Sequence, residues 1–197
     1  VSIKANNITS EAVIAREENF KTSFKKGFEL SNADHISSTL HSKAEIIANR
    51  ELVLIAQNNI HNIASNISAG GNAHIEAKNG DVNIESDILR NRTVRRWHSK
   101  KNRGVSIKDT TKNIGSEVEV DGSLIIISGN DTNIKGSNIL IGEDFTTDST
   151  GDLNIESVQD SDYNFYANYK RGSFGRRSSS TSESLKITCL LYTSPSP

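Results

Sequence analysis

The sequence predicts an all-β fold, a parallel β-helix that completes one coil about every 21 residues. The first observation is that residues 115–134 and 136–155 align without a gap at a constant offset of 21. The second is that apolar residues alternate over very short runs, which are separated by turns rich in Gly, Asn and Asp. A fixed period in the twenties is typical of solenoids, and short alternating runs with such turns indicate strands.

Equivalent residues of successive coils are predicted to stack about 4.8 Å apart in parallel strands. The offset places Val118 on Ile139, so that apolar ladders run up the interior. An Asn at a repeated turn position can bond to the Asn above it, and the offset also places Asn133 on Asn154. The Leu-x-x-Leu-x-Leu frame of a leucine-rich repeat is absent from the sequence.

The same offset occurs in the first half of the chain. It predicts that Ile46, Ile67 and Ile88 form one ladder and that Asn62 stacks on Asn83. The phrase at 81–86 also returns almost unchanged at 152–157, which predicts equivalent positions in two coils.

Three excursions interrupt the coils, at about residues 12–34, 90–110 and 160–184. Each is basic, aromatic and Gly-containing, and each leaves the coil after a similar phrase, so a second period of roughly 70 to 80 residues is superimposed on the first. Coils are predicted to resume at Ile36, where residues 36–40 match residues 114–118. Equal exit points on a periodic rod place the excursions on one side of it, as β-hairpin arms or as loops with disordered tips.

Composition and charge favour a thin, long core. Hydrophobic residues make up 34% and aromatic residues 6% of the chain, and the mean hydropathy is −0.49. The formal net charge of −1 gives no overall field toward nucleic acid or membrane. No apolar run approaches the roughly 18 to 20 residues that a membrane helix needs. Met is absent even at position 1, so we expect a fragment of a longer protein.

The last residues differ from the body in composition. Cys189 and both prolines lie in the final nine residues, so the body has neither disulfides nor proline. We therefore predict one β-helix fragment over residues 1–184 and a separate tail over 185–197. The tail is either a translated sequencing-adapter read-through or a natural disordered segment.

The excursions carry the candidate binding residues, because cations beside aromatic rings can hold sulfated glycans, lipopolysaccharide phosphates or nucleic acid. Nucleic acid is not the expected partner, and a solvated loop is the alternative interpretation. The candidates are Lys25, Lys26, Arg95, Arg96, Trp97, Lys100, Lys101, Arg103, Lys170, Arg171, Arg176 and Arg177.

Catalytic and metal-binding motifs are weaker. Asp131 and Asp152 lie one coil apart, and carboxylates about 5 Å apart can catalyse retaining glycoside hydrolysis. Both residues recur in a turn phrase, so turn capping is the preferred interpretation. The five His residues lack metal-ligand spacing, and residues 70–74 lack the Gly-Gly-x-Gly-x-Asp calcium frame. No catalytic residue, metal or cofactor is predicted.

Two phrases carry a family likeness. Residues 65–77 look like the coil of a known repeat, and residues 169–180 look like the Lys/Gly/Ser interruption of the same repeat. With them, nearly all of residues 1–184 resembles the haemagglutinin repeats of filamentous-haemagglutinin-like and contact-dependent-inhibition-type exoproteins of Gram-negative bacteria, which are exported by two-partner secretion. The resemblance implies a right-handed parallel β-helix in a long rod at the cell surface, used for adhesion or for delivery of a toxin.

The resemblance also implies an outer-membrane secretion partner and contacts with flanking repeats. A body without disulfides suits a chain that crosses a membrane pore unfolded. We therefore expect a non-enzymatic rod segment of a secreted surface protein. The alternatives are a glycan- or lipopolysaccharide-binding adhesive module and, third, a β-helix enzyme acting on polysaccharides.

Overall fold

The computed structural model describes residues 1–25 and 29–190. About three quarters of these residues lie in strands. In chain order the strands are β1 (Ser2–Ala5), β2 (Ile8–Glu11), β3 (Val13–Lys25), β4 (Glu29–Ser42), β5 (Glu45–Ala48), β6 (Leu52–Ala56), β7 (Ile60–Ile63), β8 (Asn66–Ala69), β9 (Ala73–Ala77), β10 (Val82–Glu85), β11 (Asp87–His98), β12 (Asn102–Ile114), β13 (Glu117–Val120), β14 (Leu124–Ser128), β15 (Thr132–Lys135), β16 (Asn138–Ile141), β17 (Phe145–Ser149), β18 (Leu153–Glu156), β19 (Val158–Arg171) and β20 (Arg177–Leu190). A short 3-10 turn, η1, occupies Ser173–Gly175.

Three parallel sheets form the body. Sheet A has the order β1-β6-β9-β14-β17, sheet B has the order β2-β7-β10-β15-β18, and sheet D has the order β5-β8-β13-β16. The chain passes from sheet A to sheet B to sheet D and then returns to sheet A one strand further along. This stacking confirms the predicted parallel β-helix, with five successive coils begun by β1, β6, β9, β14 and β17.

The core is a thin column of apolar ladders. Leu54, Ile75 and Ile126 are each 0% exposed and occupy equivalent positions in three successive strands of sheet A. Because strand residues alternate between faces, only every second residue of a four- or five-residue strand reaches this core. Truncating a fully buried Leu or Ile of this column to Ala should cost about 2–5 kcal/mol of unfolding free energy.

The predicted register is confirmed in the second half of the chain. Val118 pairs with Ile139, Leu124 with Phe145, and Asn133 with Asn154. Asn133 and Asn154 lie on strands of sheet B, and their side chains form a ladder with Asn83. The Nδ2 group of Asn133 donates to Oδ1 of Asn83 at 2.8 Å, and Nδ2 of Asn154 donates to Oδ1 of Asn133 at 2.9 Å.

Two predicted pairings in the first half are wrong. Asn83 pairs with His61 instead of Asn62, because the turn before β10 has one more residue than the turn before β7. Ile88 does not stack on Ile67, since the chain leaves the coil at Asp87 and the strand above Ile67 is β13. Ile88 lies outside the core and is 48% exposed.

The excursions are three long β-hairpins: β3-β4, β11-β12 and β19-β20. They pair with one another into a six-stranded antiparallel sheet, sheet C, with the order β20-β19-β12-β11-β4-β3. We call this sheet the wing. Among the wing side chains that the structure describes, only Ser38, Val94 and Asn113 are buried. The wing is therefore held mainly by backbone pairing and by contacts between side chains of adjacent strands.

The hairpins are longer than the predicted excursions. Coils resume at β5 and not at Ile36, because residues 36–40 belong to β4, whose alternating pattern imitates a coil strand. Glu45 and Glu117 both pair with Asn66, so they are the equivalent positions. At the other end, residues 185–190 continue β20 within the predicted tail, and residues 191–197 lie outside the described residues.

The wing and the coils have matching spacings. Hairpins leave the first, third and fifth coils, and each hairpin adds two strands to the wing while two coils add two strands to each coil sheet. Neighbouring strands lie about 4.8 Å apart in both, so two coils and one hairpin each advance about 9.6 Å. This equality lets hairpins from alternate coils form one continuous sheet, and it explains the longer period in the sequence.

The coils without a hairpin turn directly from sheet B to sheet D. Their corners are the positive-φ residues Ala64, with φ of 47°, and Gly136, with φ of 55°. A Cβ added to Gly136 would overlap the side chain of Val158, where the third hairpin begins, and that of Ser86, just before the second hairpin. This corner requires Gly for both its backbone conformation and its space.

We expect Gly136→Ala to lower the unfolding free energy by about 1–3 kcal/mol, because the new methyl group overpacks the corner and strains its backbone. Ala64→Gly is the matched control. In this variant the relief of backbone strain stabilises the folded state, while the greater entropy of the unfolded chain opposes that gain. The unfolding free energy should therefore change by no more than about 1 kcal/mol. Urea unfolding followed by far-UV circular dichroism measures both. Equal losses in the two variants would contradict this account.

Candidate functional site

The distal ends of the three hairpins meet at one end of the wing. Residue Leu30 of β4 pairs with His98 of β11, and Asn102 of β12 pairs with Lys170 of β19. The backbone N–H of Arg171 donates to the carbonyl of Lys101 at 2.8 Å, which joins the second tip to the third. The antiparallel registers thus bring together residues that are about 70 positions apart in sequence.

Most candidate residues lie at this end. Lys25 ends β3, but its side chain and the whole of Lys26 lie outside the described part of the chain. The others are Arg95, Arg96 and Trp97 on β11, Lys100 and Lys101 in the turn, Arg103 on β12, Lys170 and Arg171 on β19, Arg176 in the last turn and Arg177 on β20.

The tips of the second and third hairpins are strongly basic. Residues 95–105 and 167–181 contain nine Lys and Arg residues and no Asp or Glu, whereas the whole chain has a net charge of −1. The remainder of the chain must therefore carry a net negative charge. This asymmetry creates a local positive potential that the overall charge conceals.

Strand alternation assigns these cations to two faces of the wing. Face 1 carries Val94, Arg96 and Arg103, and face 2 carries Arg95 and Trp97. Cross-strand partners share a face, so the registers extend each set across the sheet.

The cations of face 1 are largely engaged. Arg96 bonds to Asp34 at 3.2 Å, and Arg90 donates to both carboxylate oxygens of Asp109, at 3.0 and 2.7 Å. The guanidinium of Arg103 lies 4.8 Å from the ring centroid of Tyr169. The hydrogen bonds from Arg90 hold the pKa of Asp109 below its usual range, against the opposing effect of desolvation. These contacts stabilise the wing.

Face 2 carries an aromatic pair. The indole of Trp97 lies on the backbone of Gly104, its partner across the strands, so closely that a Cβ at that position would overlap the ring. The ring centroids of Trp97 and Tyr166 are 5.8 Å apart with an interplanar angle of 34°. The pair forms a platform beside the basic residues of the tips.

The structure adds Phe174 to the site. Its side chain is fully exposed in η1, between the basic pairs 170–171 and 176–177, and its backbone has φ of 57°. A non-Gly residue in this region is strained by about 1–3 kcal/mol. No periodic signal marks Phe174 in the sequence, because the turn conformation alone exposes it.

The Asp pair weighed as catalytic belongs to a ladder of turn residues. The Oδ1 atoms of Asn7, Asn59, Asp81 and Asp131 accept the backbone N–H of the equivalent residue in the next coil, at 3.2, 2.9, 3.1 and 2.8 Å. The last donor is Asp152. This arrangement supports the turn-capping interpretation of both residues.

Within residues 1–25 and 29–190, no three His, Cys, Asp or Glu residues cluster in a way that could hold a metal ion. In the same part of the chain, no helix has the length and apolarity needed to cross a membrane.

Comparisons with known proteins point to one repeat type. Residues 96–171, which run from the second tip to the end of β19, match the family model described as "Hemagglutinin repeat". A hemolysin of Proteus mirabilis is 28% identical over 121 residues, which cover 58% of this chain and 8% of the relative. The chain thus spans only a small part of that relative. No solved structure matches the chain.

The ion pair between Arg90 and Asp109 predicts a pH dependence. Because the folded-state pKa of Asp109 is lowered, its contribution is fully present above the pKa of the unfolded chain and is lost as pH falls through the lowered value. We expect Asp109→Asn to reduce stability by roughly 0.5–1 kcal/mol at pH 7.

The same substitution should have a smaller effect near pH 3, below the ordinary pKa that Asp109 has in the unfolded chain, because part of the stabilisation is already lost there. Urea midpoints of both proteins at the two pH values measure the difference. A loss that is unchanged between pH 7 and pH 3 would show that the charge of Asp109 is not what stabilises the wing.

Proposed function

We propose that the chain is a structural rod segment of the kind found in two-partner-secretion exoproteins, because residues 96–171 match the haemagglutinin repeat. The rod belongs to a filamentous protein on the surface of a Gram-negative bacterium. Its role is to hold distal domains away from the cell, either an adhesive domain or a toxin. An outer-membrane partner exports the full-length protein.

The continuous coil stack is the observation that carries this proposal. All three coil sheets run through successive coils in parallel, and the core is a column without a single centre. Each coil contacts mainly the coils before and after it, so length can change by whole repeats without changing the cross-section. Such a module is suited to act as a spacer, and coils can add to a preceding template as the chain emerges from a pore.

Secretion of the unfolded chain is supported by the composition of the body. The only Cys, Cys189, lies near the end of β20, so no disulfide can lock residues 1–188 before export. Parallel coils give the folded rod its stability by hydrogen bonds and apolar ladders instead.

Two in-frame deletions test the spacer role. Removing residues 52–123 deletes two coils with one hairpin and joins Glu51 to Leu124, which occupies the position equivalent to Leu52. We expect a folded protein in which the first and third hairpins become neighbours in the wing. Removing residues 52–72 deletes one coil, so two hairpins must fit into half the required axial space, and the wing should lose its order.

Hydrogen exchange of the wing amides, measured by mass spectrometry, compares the two deletions. Protection of β3, β4, β19 and β20 is expected after the larger deletion and is expected to fall after the smaller one. If the larger deletion unfolds the protein while the smaller one does not, the spacer proposal fails.

We further propose polyanion binding at the wing tips as a second candidate function. The observation that favours it is the acid-free run of nine Lys and Arg residues in 95–105 and 167–181, gathered with the exposed Phe174 at one end of the sheet. Sulfated surface glycans and the phosphates of lipopolysaccharide have the matching charge. Tips that recur every two coils would present such a site many times along a filament.

Retention on immobilised heparin and on lipopolysaccharide tests this binding. We expect the wild-type chain to be retained at low salt and Lys100→Ser/Lys101→Ser to elute at a clearly lower salt concentration, because charge attraction is screened by salt. Lys4→Ser/Lys78→Ser removes the same charge from the coils and serves as the control. Absence of salt-sensitive retention, or an equal effect of both pairs, contradicts the proposal.

A further inference from the structure

Face 2 of the wing contains a trough beside the aromatic platform. A hollow of about 740 Å³ lies at residues 20–23 of β3, 31–33 of β4 and 95–97 of β11, and the face 2 side chains among them include Ser31, Arg95 and Trp97. A second hollow of about 420 Å³ shares Lys21, Ala33 and Arg95 with the first and continues toward the coils. Together they form an open trough along the strands of β3, β4 and β11.

Of the three cations that line the trough, Lys21 and Arg95 project from face 2, whereas Arg96 projects from face 1. Lys21 and Arg95 flank Ala33 from the two neighbouring strands, so their Cα atoms lie about two strand spacings, or roughly 9.6 Å, apart. In the described part of the chain neither makes an ion pair, whereas Arg96 is paired with Asp34. No Asp or Glu occurs among the described residues that line either hollow. The two positive groups are therefore available to an anion.

Trp97 supplies the other half of the site. Gly104 fixes one side of the indole against the backbone, and the ring borders the hollow. Tyr166, 38% exposed, extends the aromatic surface. A ring fixed in this way presents an apolar face at little entropic cost, as ligand-binding aromatic residues do. Ser23, Ser31 and Asn19 around the trough add hydroxyl and amide groups that can bond to ligand hydroxyls.

We propose that this trough binds an anionic pyranose of a linear polysaccharide. The sugar ring stacks on Trp97, and its sulfate or carboxylate lies between Arg95 and Lys21. This inference rests on polyanion binding as a function and gives it a defined subsite. It distinguishes ring recognition at Trp97 from charge attraction at the tips, and it adds Lys21 to the residues that the sequence suggested.

The single Trp of the chain makes the site directly measurable, since all Trp emission comes from Trp97. Titration of the intact chain with a heparin tetrasaccharide or an oligogalacturonate should shift or quench this emission. Polyphosphate, which has charge but no sugar ring, should bind the tips without that change, and neutral maltotetraose should cause none. Comparing the sulfated tetrasaccharide with the carboxylated oligogalacturonate shows whether the trough binds sulfate or carboxylate groups.

Three variants locate the ligand. Trp97→Leu removes the ring but keeps an apolar side chain, and it should weaken tetrasaccharide binding, measured by calorimetry, about tenfold, the factor that corresponds to a stacking contact of about 1.4 kcal/mol. Arg95→Gln should weaken binding similarly without altering the fold. Lys186→Gln, a charge-matched change on β20 away from the trough, should leave the affinity unchanged.

The outcomes separate this inference from polyanion binding itself. Retention on heparin with no change in Trp97 emission overturns the subsite and leaves binding at the tips intact. An equal response to polyphosphate also overturns it, because the ring then plays no part. If the wild-type chain is not retained on heparin, both the subsite and polyanion binding at the tips are overturned.

Discussion

Parallel hydrogen bonding between successive coils is the constraint on which the rest of the structure depends. It sets one strand spacing for sheets A, B and D, and the same spacing governs the antiparallel wing. Every inward residue must then stack on a compatible residue of the next coil, as Leu54, Ile75 and Ile126 do. The hairpins can form one sheet only because they leave alternate coils. The thin core, the longer of the two sequence periods and the clustering of the hairpin tips all follow from this one strand spacing.

The wing uses its two faces differently. On face 1, Asp34 and Asp109 neutralise Arg96 and Arg90, so charge serves cohesion in a sheet with few buried side chains. On face 2, Lys21 and Arg95 lie near the half-buried ring of Trp97 and make no ion pair among the residues that the structure describes. Structural and binding roles can therefore coexist in one basic segment. A count of charges alone would not separate them.

The sequence was sufficient for the fold where one residue type repeats at a fixed offset, as in the pairing of Val118 with Ile139. It was insufficient where a turn is one residue longer than its counterpart. The extra residue changes the pairing partner of Asn83 from Asn62 to His61, and no local sequence pattern indicates this change. Residues 36–40 misled because a hairpin strand and a coil strand share the same alternation. The candidate cations were identifiable from composition, but their division between faces depends on the registers between hairpins. Lys21 and Phe174 became apparent only from those registers and from the turn geometry.

The wing also affects how the rod bends. It lies along one side of the coil stack and is joined to it at the first, third and fifth coils. Bending toward or away from the wing must compress or stretch the spacing between its strands, which hydrogen bonds hold nearly fixed. Bending in the perpendicular direction leaves that spacing almost unchanged. A filament built from such units is therefore stiffer in the plane that contains the wing than in the perpendicular plane. When it curves, the edge that carries the basic tips should lie on neither the inner nor the outer side of the bend.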